Sequence, residues 1–69
     1  MEFDWEHIDD IAIELFDKYP EKKPLEVRFT DLLDFILALE GFTGKRESSN
    51  EAKLETVQMA WYEEWQDNQ

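Results

Sequence analysis

Carboxylates are the side chains of this sequence best placed to do chemistry. Glu6, Asp10 and Glu14 recur every four residues, and Asp17 follows three later. On a helix this spacing makes one ridge, in which like charges at i and i+4 cost about 0.2–0.5 kcal/mol per pair. A cation or a basic protein surface would relieve that cost. Ligands that offer only oxygen select hard ions, and an open ridge holds them weakly. Asp10, Glu14 and Asp17 are therefore the candidate metal ligands. Glu6, Asp10, Glu14 and Asp17, joined by Glu63 and Glu64 near the other end of the chain, are the candidate partner contacts. A solvated acidic face is the plain alternative.

Most other chemistries are excluded by composition. With no cysteine, the chain makes no disulfide, thiolate zinc site, thiol nucleophile or cysteine-held cluster. His7 is the single imidazole, and without a second His or Cys it reads as a surface side chain. The serines fall where a helix cap is expected, which leaves no hydrolase triad. No calcium-loop pattern is present. A flat helix face gives paired carboxylates no substrate cleft. The sequence reads as that of a non-enzyme.

The 69 residues carry a net charge of −11, which repels a nucleic-acid backbone and an anionic membrane alike. The charge is segregated: residues 1–17 hold seven acids and no Lys or Arg, and residues 54–69 hold four acids and no base, whereas residues 18–53 balance. An acidic start is the reverse of a secretory leader, and no apolar run approaches membrane-spanning length. A single soluble, cytoplasmic domain over residues 1–69, monomeric on its own, is expected. So small a domain buries only about 60% of its unfolded surface; five Phe, three Trp and two Tyr supply compensating bulk.

These residues need elements to position them. Ile8, Ile11, Ala12, Leu15 and Tyr19 mark one face of a helix over about Glu6 to Tyr19, with Asp4 as N-cap and Tyr19-Pro20 as its stop. Leu25 to Phe29 alternates like a short extended segment. Within it Arg28 is placed to pair with a carboxylate. Thr30, followed by Asp31, is the expected N-cap of a second helix whose buried stripe is Leu32, Phe35, Ile36 and Leu39 and whose stop is Gly41. Phe42 is expected to fold back onto that helix end. Ser48 and Glu51 form a capping box for a third helix to about Gln66, cored by Leu54, Val57 and Trp61. The predicted fold is mainly α: three helices, helix-turn-helix-like, with at most a short extended piece near residues 25–29.

The series Trp5, Ile11, Leu15, Tyr19-Pro20, Pro24, Val27-Arg28-Phe29-Thr30-Asp31, Leu39, Phe42, Ser49-Asn50-Glu51, Leu54-Glu55 and Trp61 resembles the IscX family of small acidic proteins of bacterial iron–sulfur cluster assembly. The resemblance runs from Trp5 to about Glu64. It implies a winged-helix-like fold that binds the cysteine desulfurase IscS in competition with frataxin. It also implies weak binding of ferrous iron by exposed carboxylates, with no tightly bound cofactor, and a regulatory role. Two loops depart from the family's acidic pattern, at Glu21-Lys22-Lys23 and at Thr43-Gly44-Lys45-Arg46. That leaves the first helix and the C-terminal acids as the candidates for iron. An acidic interaction domain of the nucleic-acid-mimic type, without a metal, is the alternative reading.

Overall fold

Three amphipathic stripes need a common interior, and the chain supplies it by wrapping two helices onto the longest. A computed structural model describes residues 2–69. Helix α1 spans Ile8–Lys18, α2 spans Phe29–Leu37 and α3 spans Glu51–Asp67, with short 3-10 turns at Pro24–Glu26 and Arg46–Ser48. Helix α3 lies chiefly against α1 and also packs on the Pro24–Glu26 turn and α2. The core consists of Phe3 and Trp5 from the segment before α1, Ile11, Ala12 and Leu15 from α1, Leu32, Ile36 and Leu39 in and after α2, and Leu54, Val57 and Trp61 from α3. Burying each large side chain is worth about 1.5–3 kcal/mol. Trp61 is fully buried, and its indole N–H finds no acceptor among the described residues.

The three expected helices are present, but their first turns are set differently. Asp4 does not cap α1. It stands one turn earlier, its Oδ1 accepting the Glu6 N–H at 2.9 Å, and His7 occupies the N-cap position without a side-chain cap. Thr30 lies inside α2 because Phe29, packed on the core, is already helical; Arg28 is the N-cap residue and its carbonyl accepts the Leu32 N–H at 2.7 Å. Ser48 is taken up by the Arg46–Ser48 turn, so the expected capping box does not form. Asn50, in extended backbone, caps α3 instead, accepting the Lys53 N–H at 2.8 Å.

Residues 25–29 are only partly extended. Pro24, at the first position of a 3-10 turn, presets the φ that such a turn needs. Extended backbone is left to Val27 and Arg28. The described residues contain no strand, so the likeness to a winged helix reaches no further than the helices. One β-type pairing remains, an isolated parallel bridge between Phe3 and Phe42. Phe3 donates to Gly41 O at 2.9 Å, and Thr43 donates to Phe3 O at 2.8 Å. This hook fastens the N-terminal segment to the loop after α2. Gly41 turns the chain there at φ 89°, a conformation that costs an L-residue roughly 1–2 kcal/mol.

Phe42 does fold back, but onto the hook. Its ring meets Phe3 at 5.7 Å and Trp5 at 5.0 Å, both edge to face. The Trp5 indole N–H donates to Lys45 O at 2.8 Å. Gly44 passes so close that an added Cβ would lie 2.5 Å from the Phe42 ring and 2.7 Å from Trp5.

Candidate acidic docking surface

Packing of α1 on α3 brings together the two acidic segments that lie at opposite ends of the sequence. The carboxylates sort onto two faces. Asp10 and Glu14 line a depression with Glu2 and Glu40. Asp9 lines another with Glu63, Glu64 and Asp67. No Lys, Arg or His borders either depression. Glu14, Asp17 and Glu63 are exposed, whereas Asp10 and Glu64 are half-buried.

Glu6 leaves the ridge. Helix α1 begins at Ile8, so the i, i+4 relation of Glu6 to Asp10 is not a helical one. Glu6 sits in the turn before the helix, in a depression shared with Asp4, Trp5, Lys45 and Lys53. Asp10, Glu14 and Asp17 do share the helix. Among the described residues, however, no three His, Asp or Glu side chains are gathered closely enough to hold a metal ion. The expected ligands are thus a row of separate carboxylates, and the residues present do not fit a closed iron site.

Asp4 carries the one resolved pKa shift, below the usual carboxylate value of 3.8. The largest cause is the Glu6 N–H that it accepts; the His7 ring also lowers it, and desolvation opposes both. Nδ1 of His7 lies 3.0 Å from Asp4 Oδ1 and 3.2 Å from the Asp4 N–H. These contacts are alternatives: protonated Nδ1 donates to the carboxylate, and bare Nδ1 accepts from the amide.

The motif residues around Tyr19 and Val27 shape the opposite end. The Tyr19 ring packs on Phe35 at 4.6 Å, and Pro20 follows it exposed. Lys18, Lys22 and Lys23 gather beside them, and Lys22 stands 5.6 Å over the Phe35 ring. Arg28 is exposed and makes no ion pair among the described residues. The arginine that does is Arg46, 2.9 Å from Asp34. Thr30 and Asp31 sit in the first turn of α2. Ser49 donates to Arg46 O at 2.7 Å, and Glu51 opens α3. Sequence reasoning missed Gln58, whose amide donates to Pro24 O at 3.0 Å and Val27 O at 3.2 Å. Its place in the Leu54–Trp61 stripe was the available signal.

No helix among the described residues is long and apolar enough to cross a membrane. Residues 3–66 match a protein-family model described as iron–sulphur cluster assembly. An uncharacterized protein of Pseudomonas aeruginosa is similar to this chain, 38% identical over 64 residues that span 93% of this chain and 97% of the relative.

Proposed function

The chain belongs to the iron–sulphur cluster assembly family, and on that footing we propose that it is a non-catalytic, monomeric, cytoplasmic modulator that docks on the cysteine desulfurase. One observation carries this reading: α1 and α3 pack together, so that Asp9 meets Glu63, Glu64 and Asp67, remote in sequence, in one acidic depression, while Asp10 and Glu14 line a second. Such a surface draws a basic partner over long range, raises the association rate and makes it sensitive to salt. Glu6, Asp10, Glu14, Asp17, Glu63 and Glu64 are its contacts. With no thiol, the chain neither carries persulfide nor scaffolds a cluster. Its effect comes from occupying the desulfurase surface in competition with frataxin. Ferrous iron, for which these separate carboxylates form no closed site, enters as a diffuse counter-ion along Asp10, Glu14 and Asp17, where it reduces their repulsion.

Calorimetry against the desulfurase at two ionic strengths tests the docking. Changing Asp10, Glu14, Glu63 and Glu64 to Lys is expected to weaken binding by at least about tenfold, that is about 1.4 kcal/mol, and unchanged affinity would refute it. Ferrous titration followed by amide NMR tests the ion, with shifts expected within residues 6–17 and 55–67. Their absence would remove iron from the proposal.

A further inference from the structure

The acids do not stand alone on the α1–α3 side. Ile13, 43% exposed, and Met59, 45% exposed, are two of the three large apolar side chains that the fold leaves well outside. Both lie along the seam between these helices. Ile13 borders the depression that holds Asp9, Glu63, Glu64 and Asp67. Met59 borders the next one, with Ile8 and Glu55. Ala60 and Glu63 line both, so the two depressions adjoin along the seam, with the small Ala60 side chain between them. No basic residue lines either.

We infer that this seam is a groove for a basic amphipathic helix of a partner protein, with Ile13 and Met59 as apolar anchors inside an acidic rim. The inference deepens the docking reading above and relies on it for the partner's identity. The shape suits a helix. Residues 52–67 of α3 run beside the groove for about 24 Å, roughly four helical turns, and apolar anchors spaced along a groove are how a bound helix is read. Charge selects the occupant. A second copy of this chain laying its own seam here would set acid on acid across the two-fold axis. An anionic lipid surface meets the same repulsion. A helix with Leu or Ile on one face and Lys or Arg along its flanks satisfies both the anchors and the rim.

The groove differs from the ridge on which the sequence placed binding. Asp10 and Glu14 point to a separate depression; Asp9, Glu55, Glu63, Glu64 and Asp67 border the seam. The two faces can therefore be altered independently.

The experiment titrates the full chain with a labelled Leu/Lys peptide of about 16 residues, ~24 Å as a helix, and with a peptide of the same composition whose apolar period is scrambled. The amphipathic peptide should bind about tenfold more tightly, and Ile13→Ser with Met59→Ser should abolish that preference. The exposed positions make these variants mild for folding, and circular dichroism checks it. Leu25→Ser, at the third exposed apolar side chain and outside the seam, should leave the preference in place. Equal binding of the two peptides, or seam variants that bind as the parent does, would overturn the groove. Dimerisation of the parent chain that Met59→Ser abolishes would overturn the choice of occupant in favour of a second copy. The same variants are then titrated into the desulfurase. Peptide selectivity without desulfurase binding refutes the proposed function alone, and desulfurase binding indifferent to Ile13 and Met59 refutes the groove alone.

Discussion

Gln58 offers the sharpest test of how this fold is held. It sits half-buried on α3, and its amide ties the helix to the Pro24–Val27 segment through bonds of 3.0 and 3.2 Å. Gln58→Met keeps the side-chain length and the helix propensity while removing both donors. Each such bond contributes about 0.5–1.5 kcal/mol net, so the variant should lose roughly 1–3 kcal/mol. A chain this small has only about 3–5 kcal/mol to lose. With each kcal/mol worth about 4–8 °C at this size, the melting temperature should fall by roughly 4–24 °C. Thermal and urea melts followed by tryptophan fluorescence and far-UV circular dichroism measure it. Gln58→Glu adds a sign. An ionised carboxylate cannot donate and faces two carbonyl oxygens, so its folded pKa should rise above the unfolded value of about 4.3. A raised folded pKa gives stability that is present below the unfolded pKa and lost as pH climbs through the folded one. The penalty relative to the parent should therefore be small near pH 4 and grow toward pH 7. A Met variant that melts within about 1 °C of the parent, or a Glu variant whose penalty ignores pH, would refute the role given to this amide.

Three further outcomes are expected. Gly44→Ala forces a Cβ against the Phe42 and Trp5 rings, at 2.5 and 2.7 Å; overpacking of this kind costs about 1–3 kcal/mol, read as a lower urea midpoint with exposure of Trp5. Asp4, whose carboxyl is held below its usual 3.8 chiefly by the Glu6 N–H, contributes stability that is present above that usual value and lost as pH falls through the lowered one; NMR titration of its carboxyl should show the low midpoint, and Asp4→Ala should speed exchange of the Glu6 amide. One ion pair between side chains of fixed charge, Arg46 with Asp34, stands among the described residues against a net charge of −11, so shortening the screening length from ~30 to ~10 Å by raising ionic strength from about 0.01 to about 0.1 M should raise the urea midpoint while weakening docking on a basic partner.

Helix existence was legible because the apolar spacing of Ile11, Leu15, Leu32, Ile36, Leu54, Val57 and Trp61 states which face is buried, and all seven are buried. Helix starts were less legible. A Thr, an Asp and a Ser each offered a cap, but Phe29 drew α2 forward by its packing, and the turn at Arg46–Ser48 consumed the serine. The local signal for a strand at residues 25–29 yielded to Pro24 in the same way. Phe3 and Trp5 give no periodic cue, since their partners Phe42 and Lys45 lie 39 and 40 residues away. At the docking surface, counting acids found α1 and the C-terminal pair. Only the helix start at Ile8 and the α1–α3 seam reveal that Glu6 stands off the ridge and that Asp9 faces Glu63 and Glu64.

The bridge from Phe3 to Phe42 also bears on the order in which the protein is made. Residues 3–5 are synthesised before the helices, yet their acceptors and ring partners at residues 41–45 follow some 40 residues later. At about 5–20 residues per second, that is a delay of seconds, far longer than the microseconds in which a helix forms. Phe3 and Trp5 therefore wait as an unsatisfied apolar tail on an acidic, nascent α1. Residues made before any of the helices are among the last to find their places, and the surrounding acids keep them in solution until they do.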